Sequence, residues 1–125
     1  IHGHSYLVEV FFTAPSLGPD DMVIDFGWVS IMTQMIRLEW DHALILPEQL
    51  AGQYRGIPSL KKVVVFVENP TAEVMAWRIY SRMSTLINSW KELEPHRKAG
   101  VRLEKVRVHE TETGWAEYDD EEIDG

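Results

Sequence analysis

The chain opens with two closely spaced histidines followed by an unbroken β-forming run. Ile1-His2-Gly3-His4 leads directly into residues 5–13, where aromatic and β-branched side chains dominate. This composition predicts a strand. Because side chains alternate along a strand, His2 and His4 project to one face, together with the side chains at positions 6, 8, 10 and 12. The sequence therefore predicts a pair of imidazoles at the start of a half-buried strand.

The next sixty residues contain turn signals, two short apolar runs and one helical pattern. Residues 22–24 (Met-Val-Ile) predict a short strand that pairs with the first in an antiparallel hairpin. Asp25 is a good N-cap for a helix that runs to about Glu39. Residues 41–60 lack periodicity and are expected to form an irregular functional loop or an insertion. Residues 63–67 predict a buried strand.

The second half of the chain contains one long helix and two strands. Asn69-Pro70 is a favourable helix start, a capping side chain followed by Pro at the first helical position. One apolar face of this helix carries Met75, Ile79, Met83, Leu86 or Ile87, and Trp90. A polar break at residues 94–100 precedes strands at 101–109 and 114–118. The order β-β-α-β-α-β-β predicts an α+β fold, an antiparallel β-sheet with two helices packed on one face.

Size and composition favour one folded domain. A chain of 125 residues with 45% hydrophobic residues can bury a single core. Residues 1–118 are expected to form that domain, and the acidic residues 119–125 a solvated, disordered tail. No apolar run approaches the roughly 20 residues needed to cross a bilayer.

Charge and cysteine content narrow the classes of function. A formal net charge of −8 argues against nucleic-acid binding, which requires clustered Lys and Arg. The absence of cysteine excludes a disulfide scaffold and fits a reducing, cytoplasmic location. It also means that any thiol nucleophile would lie outside this sequence.

Two histidine motifs have both a structural and a chemical interpretation. His2 and His4 are either strand-end histidines beside a core or two ligands of a metal ion; a catalytic zinc requires a third protein ligand as well. Asp41-His42 is either a surface or capping pair at a helix end, or a general base whose tautomer is fixed by a carboxylate.

Two carboxylates are further candidates. Glu73 lies in a first helical turn, where an acidic residue also simply stabilises the helix dipole. Glu110 shares a strand face with Val106 and Val108, the side expected to be buried. A carboxylate there is costly without donors or a cation, and a ligand with two parallel N–H groups would satisfy it. His109 points to the opposite face and His96 is placed in a polar loop, so neither is expected to be a metal ligand.

Five segments, in this order, resemble the 6-pyruvoyl-tetrahydropterin synthase / 6-carboxytetrahydropterin synthase family. They are HGHSYLVEV at 2–10, MVIDFG at 22–27, WDHALI at 40–45, NPTAE at 69–73 and HETETGWAEY at 109–118. The resemblance covers nearly the whole chain, and the ordered set is far more specific than any single motif. A different zinc hydrolase that uses the His-x-His motif would leave the other four segments unexplained.

The resemblance implies a T-fold, a homohexamer with active sites between subunits, and a bound Zn²⁺. His2 and His4 match two of three zinc ligands, and Asp41 and His42 match the Asp-His of the catalytic triad. Glu110 matches the carboxylate that grips the pterin. Residues 71–73, including Thr71 and Glu73, match the segment that lines the pterin pocket. Asp25 falls in a motif that is interpreted as structural.

The implied activity is that of a zinc-dependent lyase acting on 7,8-dihydroneopterin triphosphate. The favoured product is 6-carboxy-5,6,7,8-tetrahydropterin, for queuosine and 7-deazaguanine synthesis. The alternatives are a 6-pyruvoyl-tetrahydropterin synthase that releases triphosphate, and a non-catalytic pterin-binding paralogue. The expected partners are the pterin substrate and further copies of the chain, as a trimer or hexamer, with neither nucleic acid nor membrane.

The sequence departs from the family pattern at its start and after the Asp-His motif. The family's first zinc histidine and its catalytic cysteine precede the His-Gly-His motif, and this sequence contains neither. We therefore expect the first strand of the domain to be missing. The Asp-His motif continues as Ala43-Leu44-Ile45-Leu46 instead of ending in Leu-Asn or Leu-Asp, and residues 47–60 are longer than a compact member would have.

Overall fold

The computed structural model describes residues 5–54, 62–110 and 114–120. Five strands lie within these ranges: β1 (Tyr6–Thr13), β2 (Leu44–Pro47), β3 (Val63–Phe66), β4 (Arg102–Glu110) and β5 (Gly114–Tyr118). The helices are α1 (Phe26–Trp40), α2 (Glu48–Tyr54), α3 (Ala72–Ser89) and the short α4 (Glu94–Lys98). Single 3₁₀ turns occur at Pro19–Asp21 and Lys91–Leu93.

The main sheet has three antiparallel strands in the order β1-β4-β5. Val8 pairs with Val108, and Val10 with Val106. Val106 and Val108 are fully buried, because alternation along β4 turns both towards the helices. The predicted α+β fold, with an antiparallel sheet and helices over one face, is confirmed.

The long helix α3 supplies most of the opposing layer. Its buried side chains recur at helical spacing and are Met75, Ala76, Ile79, Tyr80, Met83 and Ile87. They join Val106 and Val108 in one hydrophobic core, to which α1 adds Met32 and Ile36. Each large apolar side chain buried there stabilises the fold by about 1.5–3 kcal/mol. The predicted apolar face of the second helix is therefore confirmed.

The relative directions of the elements follow from contacts along α3. Near its C-terminal end, the carbonyl oxygen of Ile87 accepts a hydrogen bond from Arg97, which lies just before β4 (2.8 Å). Farther back along the helix, the Tyr80 hydroxyl donates to the carbonyl oxygen of Leu103, near the start of β4 (3.1 Å). The two elements therefore run in opposite directions, so α3 begins at the end of the domain where β4 finishes.

Helix α1 also runs antiparallel to α3. Trp28, near its start, packs edge-on against Trp90 at the C-terminal end of α3, with ring centroids 6.1 Å apart. Glu39, near its end, pairs with Arg82 in the interior of α3. The C-terminal end of α1 therefore points towards the part of the domain where α3 begins.

The segment before α1 differs from its prediction. Residues 22–24 form no strand, and the partner of β1 is β4. The predicted hairpin was therefore wrong. This short segment is apolar because Val23 and Ile24 pack against the core as the chain enters α1. The predicted cap is confirmed, since the Asp25 carboxylate accepts a hydrogen bond from the Gly27 amide (2.7 Å).

The middle of the chain is more regular than predicted. Residues 41–60 were expected to be irregular. In the part of this segment that the structure describes, however, the chain forms strand β2 and helix α2. β2 pairs in parallel with β3 as a separate two-stranded sheet. The strand predicted at 63–67 is present as β3. Its predicted burial holds for one face, where Phe66 is 1% exposed and Val64 packs against the core, but Val63 and Val65 on the other face are 39% and 44% exposed. Side chains alternate along a strand, so a sheet covered on one face leaves the other face exposed.

Two further local predictions were wrong. The N-cap of α3 is Thr71, not Asn69, because Pro70 precedes the cap instead of occupying the first helical position. His96 does not lie in a polar loop; it lies in α4 with only 5% of its surface exposed. The domain boundary predicted at residue 118 stays a prediction, although Asp120 accepts a hydrogen bond from Tyr80 (3.0 Å).

The face of the sheet that points away from the helices carries charged and aromatic side chains. Arg107 donates from Nε to Glu117 (2.8 Å), and Lys105 lies 3.5 Å from the same carboxylate. The Arg107 guanidinium also lies over the Trp115 ring, 4.8 Å from its centroid. On the neighbouring strand, Glu9 is hydrogen-bonded to His109. The hydrogen bond from Arg107, and the positive charges of Arg107 and Lys105, hold the pKa of Glu117 below its ordinary value of 4.5.

Glu117 therefore makes folding pH-dependent in acid. A carboxyl whose folded pKa is lowered stabilises the native state fully above its unfolded pKa, and this stabilisation is lost as the pH falls through the folded pKa. We expect Glu117→Gln to lower the urea midpoint at pH 7, with the difference from wild type shrinking as the pH falls below about 4.5 and vanishing only below the lowered folded pKa of Glu117. The matched control is Glu104→Gln, an exposed carboxylate on the same strand β4. A pH-independent difference, or equal loss in both variants, would contradict this role.

Candidate functional site

Glu110 is the last residue of β4 and lies opposite the first residue of β1. Its register partner is Tyr6, and strand alternation places Glu110 on the same face as Val106 and Val108, as predicted. The Glu110 side chain is half-buried at this point. The pKa of Tyr6 is raised, mainly by burial and further by the negative charge of Glu110. A carboxylate and a phenol therefore share one end of the main sheet.

Thr71 and Glu73 lie at the start of α3. The Thr71 hydroxyl accepts a hydrogen bond from the Val74 amide (3.2 Å) and so caps the helix. Glu73 occupies the first turn, and both side chains are exposed. Because α3 begins where β4 finishes, Thr71, Glu73 and Glu110 lie towards the same end of the domain.

Asp41 and His42 directly follow α1. Asp41 is its C-cap, and its carboxylate lies 3.3 Å from the His42 Nδ1 atom. The side chain of His42 is 92% exposed and that of Asp41 55% exposed. His42 has a φ of +55°, a left-handed conformation that is uncommon for residues other than Gly, although His, Asn and Asp adopt it more often than the rest. Such strained positions concentrate at functional sites and in tight turns.

A pocket of mixed character adjoins the Asp-His pair. It has a volume of about 450 Å³ and is lined by Ser30, Thr33, Gln34, Arg37, Leu38, Asp41 and Lys62. The Lys62 ammonium donates to the carbonyl oxygen of Asp41 (2.7 Å). This contact joins the segment before β3 to the end of α1. Two cations and several hydrogen-bond donors therefore lie next to the predicted catalytic pair.

The structure brings some predicted site residues together and leaves others apart. Asp41 contacts His42, and Glu110 faces Tyr6. Across the described ranges, neither Asp41 nor His42 makes a hydrogen bond or ion pair with Thr71 or Glu73. Within one copy of the chain, the Asp-His pair is therefore open to solvent, and no polar contact with the start of α3 closes it.

The predicted metal ligands lie outside the described residues. This applies to both His2 and His4. In residues 5–54, 62–110 and 114–120, no three His, Asp or Glu side chains are grouped so that they would hold a metal ion. Neither prediction is tested by this structure.

Sequence reasoning missed three residues of the site region. Tyr6 was placed on the histidine face but was given no role, although strand alternation alone makes it a neighbour of that face. Arg37 precedes Asp41 by four residues, one helical turn, and this spacing was an available signal. Lys62 is 21 positions from Asp41 along the chain, and only the tertiary fold brings the two together.

Comparison with known proteins decides the family. The sequence family described as 6-pyruvoyl tetrahydropterin synthase matches residues 1–121. The chain belongs to this family. The family predicted from the five sequence motifs, a family of enzymes, is thereby confirmed. The antiparallel sheet and its helices are consistent with the T-fold of this family.

Several relatives are named 6-carboxy-5,6,7,8-tetrahydropterin synthase. The protein from Aquifex aeolicus is 33% identical over 131 residues, covering 97% of this chain and 75% of the relative. The protein from Helicobacter pylori J99 is 28% identical over 120 residues, covering 94% and 58%. That from Rickettsia felis is 34% identical over 79 residues, covering 61% and 57%. The chain thus spans three quarters of the Aquifex relative and less than two thirds of the other two.

Among the described residues, no helix combines the length and the apolar character that crossing a bilayer requires.

The capping role of Thr71 is testable apart from any role towards a ligand. We expect Thr71→Ala to lower the free energy of unfolding by about 1 kcal/mol, because the Val74 amide loses its acceptor. Thr71→Ser keeps the hydroxyl and should stay close to wild type. Urea titrations of the three proteins measure the difference. Equal stability of the alanine and wild-type proteins would show that the cap does not stabilise α3.

Proposed function

We propose that this protein is a zinc-dependent lyase that converts 7,8-dihydroneopterin triphosphate to 6-carboxy-5,6,7,8-tetrahydropterin. Family membership and the names of the relatives support the reaction class. The structural observation that carries the proposal is the position of Glu110, a half-buried carboxylate beside Tyr6 at the end of the sheet where β1 begins. In the sequence, the His-Gly-His motif directly precedes this strand.

Glu110 would hold the pterin ring. The amino-pyrimidine edge of a pterin presents two parallel N–H donors, and a carboxylate accepts such a pair in a bidentate way. Its burial strengthens these hydrogen bonds, since competing water is reduced. Thr71 and Glu73, towards the same end, would line the pocket around the ring. The contribution of these residues is to position the side chain of the substrate.

Asp41 and His42 would move protons at the substrate side chain. The carboxylate, 3.3 Å from Nδ1, favours the tautomer with the proton on Nδ1 and leaves Nε2 as the base. His42 has a left-handed backbone, and its imidazole is open to solvent. An imidazole that is 92% exposed in one copy suits a site completed by a neighbouring copy. We therefore include a homo-oligomer, a trimer or hexamer with sites between subunits, in the proposal.

His2 and His4 would hold the zinc ion. Neutral imidazoles are typical zinc ligands, so the donor chemistry of the pair fits the metal, and one more protein ligand would complete a catalytic site. When bound, zinc acts as a Lewis acid that stabilises negative charge developing on substrate oxygens. Within the described part of the chain, no side-chain group supplies a competing site.

Two other functions are alternatives to this proposal. A 6-pyruvoyl-tetrahydropterin synthase would use the same site and release triphosphate without cleaving the side chain, and the family description names this activity. A non-catalytic pterin-binding paralogue would keep Glu110 and the fold without turnover. The product formed distinguishes all three.

The deciding experiment is turnover of 7,8-dihydroneopterin triphosphate by the complete gene product, with products identified by mass spectrometry. We expect 6-carboxytetrahydropterin, acetaldehyde and inorganic triphosphate, with about one zinc per subunit. A 6-pyruvoyl product would establish the first alternative. Binding of pterin without any product would establish the second.

Site variants test the assigned roles. Glu110→Gln should weaken pterin binding about 10- to 100-fold, through loss of a charge-assisted bidentate contact. His42→Asn should lower kcat about 100-fold or more with little change in pterin affinity. Glu104→Gln, on the same strand as Glu110, is the matched control and should change neither quantity. Unaltered pterin affinity in Glu110→Gln would refute the anchoring role.

A further inference from the structure

The pocket beside Asp41 is cationic on a strongly acidic chain. The sequence contains 12 Lys and Arg against 20 Asp and Glu. The described lining of this pocket nevertheless contains two cations, Arg37 and Lys62, and one carboxylate, Asp41. Ser30 and Gln34 add neutral donors from the same face of α1, whereas the Thr33 hydroxyl donates to the Val29 carbonyl of its own helix. A local excess of positive charge and donors is the composition that phosphate groups require.

Both cations are free of carboxylate partners in the part of the chain that the structure describes. Several other basic residues there are paired with a carboxylate, such as Arg78 with Glu68 and Arg82 with Glu39. The ammonium group of Lys62 instead donates to the backbone carbonyl of Asp41, which leaves two of its three N–H donors for another acceptor. Arg37 is exposed, and its guanidinium makes no hydrogen bond or ion pair with the other described residues. Its charge is therefore available to a ligand.

The location would otherwise repel an anion. The C-terminal end of a helix carries partial negative charge on its last carbonyl groups, and the Asp41 carboxylate adds a full charge. Lys62 offsets this effect at its source, since its ammonium covers the Asp41 carbonyl at 2.7 Å. Arg37, one turn earlier on α1, supplies a second positive charge. The two cations are thus placed where an anion would need them.

We propose that this pocket binds the polyphosphate chain of the substrate, with Arg37 and Lys62 as its cationic anchors. The assignment rests on the proposed function, because it takes the triphosphate ester as the substrate. A volume of about 450 Å³ lies within the range of roughly 300–1,000 Å³ of small-molecule sites. Since Asp41 belongs to both the pocket and the Asp-His pair, an anchored triphosphate would place the adjoining side chain of the substrate at His42.

The test measures binding of inorganic tripolyphosphate to the complete protein by isothermal titration calorimetry, without added zinc or pterin. Wild type should bind it, and Arg37→Gln and Lys62→Gln should each weaken binding about tenfold, the order expected for one lost charge-assisted contact. Arg37→Lys should recover part of the affinity. Arg102→Gln, an exposed arginine at the start of β4, is the control and should bind like wild type. Orthophosphate should bind much more weakly than tripolyphosphate.

A second arm separates this proposal from the proposed function. Unphosphorylated 7,8-dihydroneopterin should bind Arg37→Gln and wild type equally, because its affinity depends on Glu110. The absence of tripolyphosphate binding, or equal weakening in Arg102→Gln, would overturn the anion site even if the enzyme turns over its pterin. Equal affinity for orthophosphate would also overturn it, since a general phosphate site has no preference for a chain. Failure of turnover with intact tripolyphosphate binding would instead refute the lyase.

Discussion

The packing of α3 against β4 is the contact on which the rest of the domain depends. Val106 and Val108 are fully buried beneath the apolar face of this helix. The polar contacts at Tyr80 and Arg97 fix the two elements in opposite directions. Because of that direction, the N-terminus of α3 and the end of β4 lie towards the same side, and the pairing of β1 with β4 adds Tyr6 there. Most of the candidate site residues therefore share a location that the core imposes.

The ends of elements carry the polar chemistry of this domain. Glu110 ends β4, Thr71 and Glu73 begin α3, and Asp41 ends α1. Backbone groups at such ends lack partners within their own element, so polar side chains gather there for structural reasons as well. Thr71 illustrates the overlap, since its hydroxyl caps α3. A role towards a ligand must therefore be shown separately from the capping role.

Charge is distributed unevenly over an acidic chain. On the outer face of the sheet, Arg107 and Lys105 form ion pairs with Glu117, and these contacts lower the pKa of that carboxyl. At the end of α1, Arg37 and Lys62 have no such partner within the described residues. The net charge of the chain is therefore a poor guide to whether a single pocket binds an anion. Anion binding depends on the local cations that are not paired with a carboxylate.

The sequence by itself determined the fold class, the Asp25 cap, the buried face of α3 and strands β1, β4 and β5, because periodicity and capping are local properties. It also determined the family, through five motifs in order. It failed at residues 22–24, at β2 and at the exposed face of β3, where apolar side chains serve tertiary packing and parallel pairing that no local pattern encodes. Only the tertiary structure placed Tyr6 opposite Glu110 and brought Lys62 to Asp41. The physical reason is that strand register and contacts between distant segments are set by packing of the whole core.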